Sequence, residues 1–301
     1  ILIPTFNESG NIESLYREIR LQVPDVNFLF VDDNSPDGTG QIIDRLAEAD
    51  PRVFVLHREA KMGVGSAHYA GISWAYDHAY DFLLTMDCDF THPPKYIKTI
   101  LEQRHTGDIV VGSRFMKKAS LVGWNLIRKS LTWIGHALTT NLLGMPYDAT
   151  GGFRLYNLQK VPRQGFDLVS SLGYSFFFES LFIFHTNGVC IREIPIDLPP
   201  RTYGSSKMAF SDVLKSLCLL GEVLFNRLID EDRYRISSPI SASEINPKLF
   251  GTQVWDAYWE RGRDSGRSLY NFIAAFYRKV LIRPTFNTYI RSTFHQGEKV
   301  L

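Results

Sequence analysis

Residues 27–39 read NFLFVDDNSPDGT, an apolar run that ends in two aspartates and a turn rich in Asp, Pro and Gly. A short apolar run bounded by turn residues is typical of a buried strand. Similar runs recur at 1–3, 53–56, 82–86 and 109–112, and stretches with helical spacing lie between them. Strands that alternate with helices form βαβ units. We therefore predict an α/β fold with a mainly parallel central sheet flanked by helices.

Polar residues follow several of these predicted strands at the point where each strand ends. In parallel sheets, ligands bind at the carboxyl ends of the strands. The predicted strand ends carry Asn7 and Glu8, Asp32 and Asp33, and Asp87 and Asp89. We expect these three groups to meet along one edge of the sheet and to form the functional site.

The overall composition excludes one class of partner. Lys plus Arg (33) nearly balances Asp plus Glu (32), so the chain lacks the electrostatic field that holds a nucleic acid.

The three cysteines, at positions 88, 190 and 218, are scattered, which favours a reducing compartment over a disulfide framework. Charged residues at 215, 222 and 227 interrupt the most apolar helical stretch. We expect a cytoplasmic protein that does not cross a bilayer.

The tripeptide Asp87-Cys88-Asp89 is a candidate metal site. It follows an apolar run directly and precedes Thr91-His92-Pro93-Pro94, where a proline can start the next helix. Carboxylates one residue apart can hold Mg²⁺ or Mn²⁺ against a diphosphate, because hard cations take oxygen ligands. Taken alone, such a tripeptide more often caps a helix or lies in a solvated turn. His92 is either a ligand or, more commonly beside proline, a loop residue.

Four motifs together resemble those of the family 2 glycosyltransferases. They are PTFNE at 4–8, VDDNSPDGT at 31–39, DCDFTHPP at 87–94 and VGSRF at 111–115. The resemblance covers residues 1–230 and implies a GT-A fold with a nucleotide-sugar half and an acceptor half. It implies Asp87 and Asp89 as ligands of Mg²⁺ or Mn²⁺ on the donor diphosphate. It also implies a donor site formed by Pro4, Phe6, Glu8, Val31, Asp33, Lys61, Gly63, Ser66, Asp87 and Cys88, together with Thr91.

The second half is most similar to the dolichyl-phosphate mannose synthase branch of that family. The similarity rests mainly on TGGFRLY at 150–156 and RTYGSSK at 201–207. It implies inverting transfer of mannose from GDP-mannose to a polyprenyl (dolichyl) phosphate, with Asp89 as the principal metal ligand. The matching residues imply that Arg114 and Arg128 grip the acceptor phosphate, and that Arg201 and Lys207 close over the donor.

The chemistry of a phosphate acceptor supports the same interpretation. A phosphate monoester has a second pKa of about 6 and is already anionic near neutrality, so the reaction requires no general base. Two phosphorylated substrates must nevertheless approach each other, and arginine forks compensate their charge. The four basic residues named above meet that need.

Two other functions stay open. A UDP-glucose-dependent polyprenyl-phosphate glucosyltransferase would use the same scaffold, because sugar choice depends on a few pocket contacts. A non-catalytic subunit of a lipid-linked sugar assembly complex is the other, although the intact acidic and basic motifs argue against it. The lipid acceptor requires a membrane surface, reached by peripheral attachment on the cytosolic face or through a membrane-anchoring subunit.

Three local features each allow a structural and a functional interpretation. Glu179 either faces the donor sugar or is an exposed or paired helix carboxylate. The aromatic run at 174–178 is expected in the core rather than against lipid. The apolar face within 213–228 either lies in a membrane interface, docks a partner helix or packs internally.

The rest of the chain is expected to lie outside the catalytic domain. A stretch with Ser and Pro at 231–248 is typical of a linker, and a helical tail follows at 249–301. The tail contains WDAYW at 255–259 and resembles the lead-in to a class I methyltransferase. The chain stops before the cofactor loop of such a domain, so no methyl-donor site is predicted.

Overall fold

The computed structural model describes residues 1–117, 120–121, 123–124, 126–199 and 210–236. The chain divides into two compact units, of which the first comprises 1–221 and 234–236 and contains the sheet. The described part of the second unit is 222–233. Four sequence predictions lie outside the described residues: Arg201, Lys207, the linker from residue 237 onward, and the tail at 249–301. The side chain of Arg128 also lies outside the described part of the structure.

A seven-stranded sheet forms the centre of the first unit, in the order β3-β2-β1-β4-β6-β5-β7. The strands are β1 Leu2–Thr5, β2 Phe28–Asp32, β3 Val53–His57, β4 Phe82–Thr85, β5 Ile109–Ser113, β6 Arg154–Asn157 and β7 Ile191–Pro195. Only β6 runs antiparallel to its neighbours β4 and β5 among the described strand pairs, and the others pair in parallel. The predicted mainly parallel α/β fold is confirmed.

Helices connect the strands and cover the sheet. They are α1 Ile12–Gln22, α2 Thr39–Ala49, α3 Val64–Asp77, α4 Lys95–Glu102, α5 Leu126–Leu143, α6 Gln164–Asp167, α7 Phe176–Thr186 and α8 Phe210–Ile229, followed by a 3-10 helix at Glu231–Tyr234. Pro94 occupies the N-cap of α4, as its position before the helix predicts. None of the described helices combines the length and apolar character that crossing a bilayer requires.

The hydrophobic core lies between the sheet and the helices. Ile3, Phe30, Leu84 and Val110 from four strands are almost fully buried, and α1 contributes Ile12 and other residues of its inner face. Phe176, Phe177 and Phe178 of the aromatic run are also buried. The core interpretation of that run is therefore confirmed. The burial of both faces of the strands explains why they read as continuous apolar runs.

Candidate active site

The carboxyl ends of β2, β1 and β4 lie side by side in the sheet. Thr5 at the end of β1 is aligned with Asp32 at the end of β2, and Met86 donates its N–H to Leu2 O beyond β4. The segments that follow these three strands therefore leave the sheet along one edge. The predicted convergence of the three polar groups is confirmed by this topology.

The two consecutive aspartates at the end of β2, Asp32 and Asp33, have different roles. The Asp32 carboxylate accepts hydrogen bonds from Ser35 N at 3.1 Å, Ser35 Oγ at 2.5 Å and Thr5 Oγ1 at 3.2 Å. These bonds hold the turn that connects β2 to α2. Asp32 thus stabilises this turn. The Asp33 carboxylate is instead bound by a residue outside the turn.

Asp33 is bound by an arginine that the sequence motifs did not single out. Arg58 Nε donates to Asp33 Oδ1 at 2.6 Å, and Arg58 Nη1 donates to Ser66 Oγ at 2.7 Å. The side chains of Arg58 and Asp33 are 9% and 6% exposed. The group joins the predicted donor residues Asp33 and Ser66, which lie on different elements.

Lys61 and Phe6 of the predicted donor site also lie together. The Lys61 ammonium is 4.5 Å from the centroid of the Phe6 ring, in cation–π distance. Pro4 is the direct neighbour of Val31 across the β1–β2 pair, and the Val31 side chain is fully buried. Val31 therefore exposes neither its side chain nor its backbone to a ligand in this conformation.

Glu8 and Cys88 of the predicted donor site are also buried. Glu8 Oε2 accepts a hydrogen bond from Asn11 Nδ2 at 2.6 Å, just before α1 begins, and Glu8 is 9% exposed. Cys88 is 3% exposed and packs with the hydrophobic core, so its thiol lies on the inner side of the Asp87-Cys88-Asp89 segment. The two aspartates that flank Cys88 are the polar members of this segment.

Asp87 and Asp89 differ in exposure. The Asp87 side chain is 39% exposed, whereas Asp89 is 2% exposed and its Oδ1 accepts bonds from Thr91 N and Oγ1 at 3.0 and 2.5 Å. His92 is buried, stacks on Phe153 and accepts a hydrogen bond from Asp87 N through Nδ1 at 2.9 Å. His92 is thus a loop residue that holds the backbone of Asp87, as the more common alternative predicted.

The donor set of this segment fits a hard divalent cation. Within the described residues, no three His, Cys, Asp or Glu side chains are grouped to hold a metal. Two carboxylates beside an open edge are nevertheless the set expected where substrate phosphates supply further oxygen ligands. Asp87 and Asp89 therefore suit Mg²⁺ or Mn²⁺ only together with a bound diphosphate.

Arg114, predicted to grip the acceptor phosphate, forms a buried ion pair with Asp148. Nε donates to Asp148 Oδ2 at 2.7 Å, and Nη2 donates to Asp148 Oδ1 and to Thr150 Oγ1, both at 2.5 Å. Burial alone would lower the pKa of Arg114, but the charges of Asp148 and, more weakly, Asp87 raise it. Arg114 is therefore a cation within electrostatic range of the proposed diphosphate site.

The turn at Gly151 and Gly152 closes the site beside Asp87. Arg154, fully buried, donates to the carbonyl oxygens of Gly151, Ala149 and Phe177 at 2.8 to 2.9 Å. A Cβ on Gly152 would lie 3.0 Å from the Phe177 ring and 3.7 Å from Asp87 Oδ1. Glycine at 152 thus lets the backbone approach Asp87 closely.

Two further buried residues surround the site. Glu179 is 1% exposed and accepts bonds from Ser170 N, Ser170 Oγ and Ser171 N at 3.0, 2.7 and 2.9 Å, which is the paired-carboxylate alternative. His68 of α3 bonds Val64 O at 2.9 Å through Nδ1, and its buried Nε2 has no partner among the described residues. Burial lowers the pKa of His68 to about 4, so this imidazole is neutral at pH 7.

Several contacts in this site were not predictable from the motifs. Arg58, Asp148 and Arg154 have no distinctive spacing, although Asp148 and Arg154 flank or belong to the TGGFRLY motif at 150–156. The available signals were the position of Arg58 at the end of a strand and the positions of Asp148 and Arg154 close to Gly151 and Gly152. The contacts of Arg128, Arg201 and Lys207 stay predictions.

Comparison with known proteins agrees with these features. The sequence pattern of Glycosyl transferase family 2 matches residues 1–162. An undecaprenyl-phosphate mannosyltransferase of Micrococcus luteus is 38% identical over 209 residues, which cover 69% of this chain and 86% of the relative. A polyprenol monophosphomannose synthase of Mycolicibacterium smegmatis is 34% identical over 225 residues, which cover 74% of this chain and 85% of the relative.

Similarity to solved structures is weaker. The mannosyltransferase PcManGT from Pyrobaculum calidifontis, in complex with GDP-Man and Mn²⁺, has a TM-score of 0.41 and 16% identity, with 94% of this chain and 86% of that chain covered. A similarity of this size adds nothing about the site. The sequence relatives and the mainly parallel α/β sheet with its acidic edge show that the chain belongs to glycosyltransferase family 2 and is a glycosyltransferase.

Proposed function

We propose that this enzyme transfers mannose from GDP-mannose to the phosphate of a polyprenol such as dolichol, with inversion at the anomeric carbon. The names of the two sequence relatives support the mannosyl donor and the polyprenyl phosphate acceptor. The observation that carries the proposal is the pairing of an acidic edge with a buried arginine, with no free general base beside them in the part of the chain that the structure describes. Glu179 and His92, two buried candidates for a base, are both engaged in hydrogen bonds with the protein.

The donor would bind along the edge formed by the ends of β1, β2 and β4. Asp33 and the Lys61–Phe6 pair would contact the nucleoside, and Asp87 and Asp89 would lie at the diphosphate. A divalent cation held by these two aspartates would neutralise the charge that develops on the departing GDP. The Asp87 side chain is exposed enough to reach such a ligand, and His92 fixes its backbone.

Arg114 would bring the acceptor phosphate to the sugar. Its guanidinium is held in place by Asp148 and Thr150, so little conformational entropy is lost when a phosphate binds. One oxygen of the acceptor phosphate would attack the anomeric carbon while the bond from that carbon to the GDP oxygen breaks on the opposite face. The acceptor is already an anion at neutral pH, so no proton has to be removed in this step.

The lipid part of the acceptor has a candidate surface next to Arg114. Phe115 packs against Trp133 and His136 of α5, with ring centroids 5.0 and 3.8 Å apart. The outer face of α5 exposes large apolar side chains, namely Leu126, Leu131, Trp133, Ile134 and Leu142. We propose that this face lies in the interface of the cytosolic leaflet, where the protein is peripheral. This apolar contact requires neither a membrane-anchoring subunit nor charged lipid headgroups.

The experiment is a transfer assay with radiolabelled sugar. The purified chain is incubated with a short polyprenyl phosphate and GDP-mannose, with and without EDTA, and with UDP-glucose in parallel. We expect labelled mannolipid that disappears in EDTA, and nuclear magnetic resonance should show the inverted anomer. Labelling from UDP-glucose alone would establish the glucosyltransferase instead, and labelling from neither donor would contradict the proposed activity.

The membrane contact is tested separately by cosedimentation with liposomes. Trp133→Glu and Ile134→Glu should weaken the binding of the protein to liposomes, because each places a charge in the interface. Leu21→Glu is the matched control, since Leu21 is 85% exposed on α1, away from Arg114 in sequence. Unchanged binding of both α5 variants would contradict the role of this face.

A further inference from the structure

Arg58 connects two elements that border the proposed donor site. It follows β3 directly, its Nε donates to Asp33 Oδ1 after β2, and its Nη1 donates to Ser66 Oγ in the first turn of α3. Both bonds are short, at 2.6 and 2.7 Å, and the guanidinium is almost fully buried. A planar guanidinium with donors at fixed angles sets the relative position of its two acceptors.

Among the described residues, one carboxylate oxygen of Asp33 is left unengaged. Oδ1 takes the Arg58 bond, and Nη2 of Arg58 is also 2.6 Å from this same oxygen. Oδ2 accepts no hydrogen bond from any described residue, although the residue is 5% exposed. A carboxylate oxygen in such surroundings is stabilised by a hydrogen-bond donor, and the base and ribose of a nucleotide carry N–H and O–H donors.

Ser66 extends the connection to the loop before α3. Its hydroxyl lies 3.1 and 3.0 Å from the carbonyl oxygens of Met62 and Gly63, and its N–H donates to Leu172 O at 3.1 Å. Lys61 of the same loop lies over the Phe6 ring. The contacts of Arg58 therefore reach both the carboxylate and the loop that would enclose a nucleoside.

A purely stabilising role explains this arrangement poorly. Removing two charges from water costs more than a buried ion pair usually returns, so such a pair is weak evidence for stability. The pair also lies at the ends of parallel strands, where ligands bind. We infer that Arg58 is a positioning residue for the donor nucleoside: it holds Asp33 so that Oδ2 accepts a hydrogen bond from the base or ribose of a nucleoside diphosphate. The inference rests on the proposed use of a nucleotide-linked sugar donor.

The test compares nucleotide affinity with pyrophosphate affinity on the full chain. Calorimetry with Mn²⁺ present measures binding of GDP, UDP and inorganic pyrophosphate to the wild type, Arg58→Met and Arg58→Lys. We expect both variants to bind the preferred nucleoside diphosphate about ten- to hundredfold more weakly, and pyrophosphate as the wild type does. A general loss of structure would weaken the binding of both kinds of ligand, whereas a lost nucleoside contact would weaken only the binding of the nucleoside diphosphate.

Three more proteins complete the comparison: Arg17→Met, Asp33→Asn and the double variant of Asp33→Asn with Arg58→Met. Arg17→Met removes an arginine from an exposed ion pair with Glu13 and should bind all ligands as the wild type does. Asp33→Asn combined with Arg58→Met should lose little more affinity than either single variant, because the two residues act through one contact. Arg58→Lys provides a second variant if Arg58→Met fails to fold.

The outcomes separate this inference from the proposed function. Equal nucleotide affinity of the wild type and the folded Arg58 variants would overturn the inference, as would additive losses in the double variant. Equal weakening for nucleotide and pyrophosphate would also overturn it. A wild type that binds no nucleoside diphosphate would instead overturn the proposed function, on which the inference depends.

Discussion

Arg114 and Asp148 form a buried fork in which two guanidinium nitrogens each face one carboxylate oxygen, and Arg114 N also donates to Asp148 Oδ2 at 3.0 Å. The Asp148 side chain is fully buried, and that of Arg114 is 9% exposed. The residues are 34 positions apart, on the loops after β5 and before β6. This pair joins the two segments that surround the proposed acceptor phosphate.

Asp148→Asn should lower the free energy of unfolding by about 3–5 kcal/mol at pH 7, because it leaves the buried Arg114 charge without a counterion. Urea denaturation measures the change. Asp25→Asn, which removes a 91% exposed carboxylate paired with Arg52, should change it by less than about 0.5 kcal/mol. A loss below about 1 kcal/mol for Asp148→Asn would contradict the structural role of the pair.

The same variant has a predictable pH dependence. Burial would raise the pKa of Asp148, but Arg114 and, more weakly, Arg154 lower it below its usual value of 3.8. A lowered folded-state pKa means that the stabilisation is present above the unfolded-state pKa and is lost as the pH falls through the folded-state pKa. The difference between wild type and Asp148→Asn should therefore be full at neutral pH and shrink only below about pH 4.

Asp89→Asn should lower turnover at least about a hundredfold while the melting temperature stays close to that of the wild type. The amide Oδ1 can still accept the bonds from Thr91 N and Oγ1, so the loop keeps its conformation. Only the negative charge expected at the metal is lost. The transfer assay and differential scanning calorimetry measure the two effects, with Asp25→Asn again as the control. A normal rate for Asp89→Asn would rule out the metal assignment.

Gly63→Ala should cost about 1–3 kcal/mol of stability and raise the KM for the donor. Gly63 has a φ of +100°, and a Cβ there would overlap the Leu172 carbonyl oxygen. The loop that carries Lys61 would have to shift. Gly135→Ala in α5 is the control, since nothing lies within 4 Å of its Cβ position and alanine favours a helix. Wild-type stability and KM for Gly63→Ala would show that the loop tolerates the shift.

Glu179→Gln distinguishes the two interpretations of this carboxylate. In the variant, the side-chain amide nitrogen replaces one carboxylate oxygen and would face a serine N–H, which it cannot accept. The variant should therefore lose about 1–3 kcal/mol of stability. Glu13→Gln, on the exposed side of α1, should be close to neutral. Full stability with a large fall in kcat/KM would instead place Glu179 at the donor sugar.

His68→Phe should remove part of the acid sensitivity of the fold. The folded-state pKa of His68 is lowered from 6.5 to about 4, so the unfolded chain binds this proton first and the wild type loses stability as the pH falls from about 6.5 to 4. At pH 4.5 the loss from this residue is roughly 2–3 kcal/mol relative to pH 7. Urea denaturation at the two pH values should show a smaller drop for the variant. An equal drop would mean that His68 is protonated in the folded protein.

The sequence by itself was sufficient for the local features of the fold. Apolar runs, helical spacing and turn residues located β1 to β5, and the order of alternation predicted parallel pairing. The position of Asp33, Asp87 and Asp89 after strands predicted a common edge, because parallel strands end on the same side of their sheet. These features depend on neighbours in sequence, so they can be read from a single chain.

The partners of the buried charges were decided by the tertiary structure. β6 is short and runs antiparallel between β4 and β5, and its pairing with β5 places the segment that carries Asp148 beside Arg114. Arg58 reaches Asp33, 25 residues earlier, because β3 is next to β2. Glu179 is engaged by serines that precede its own helix. Periodicity indicates which residues are buried, but the choice of partner depends on which strands are adjacent, and adjacency is a property of the assembled sheet.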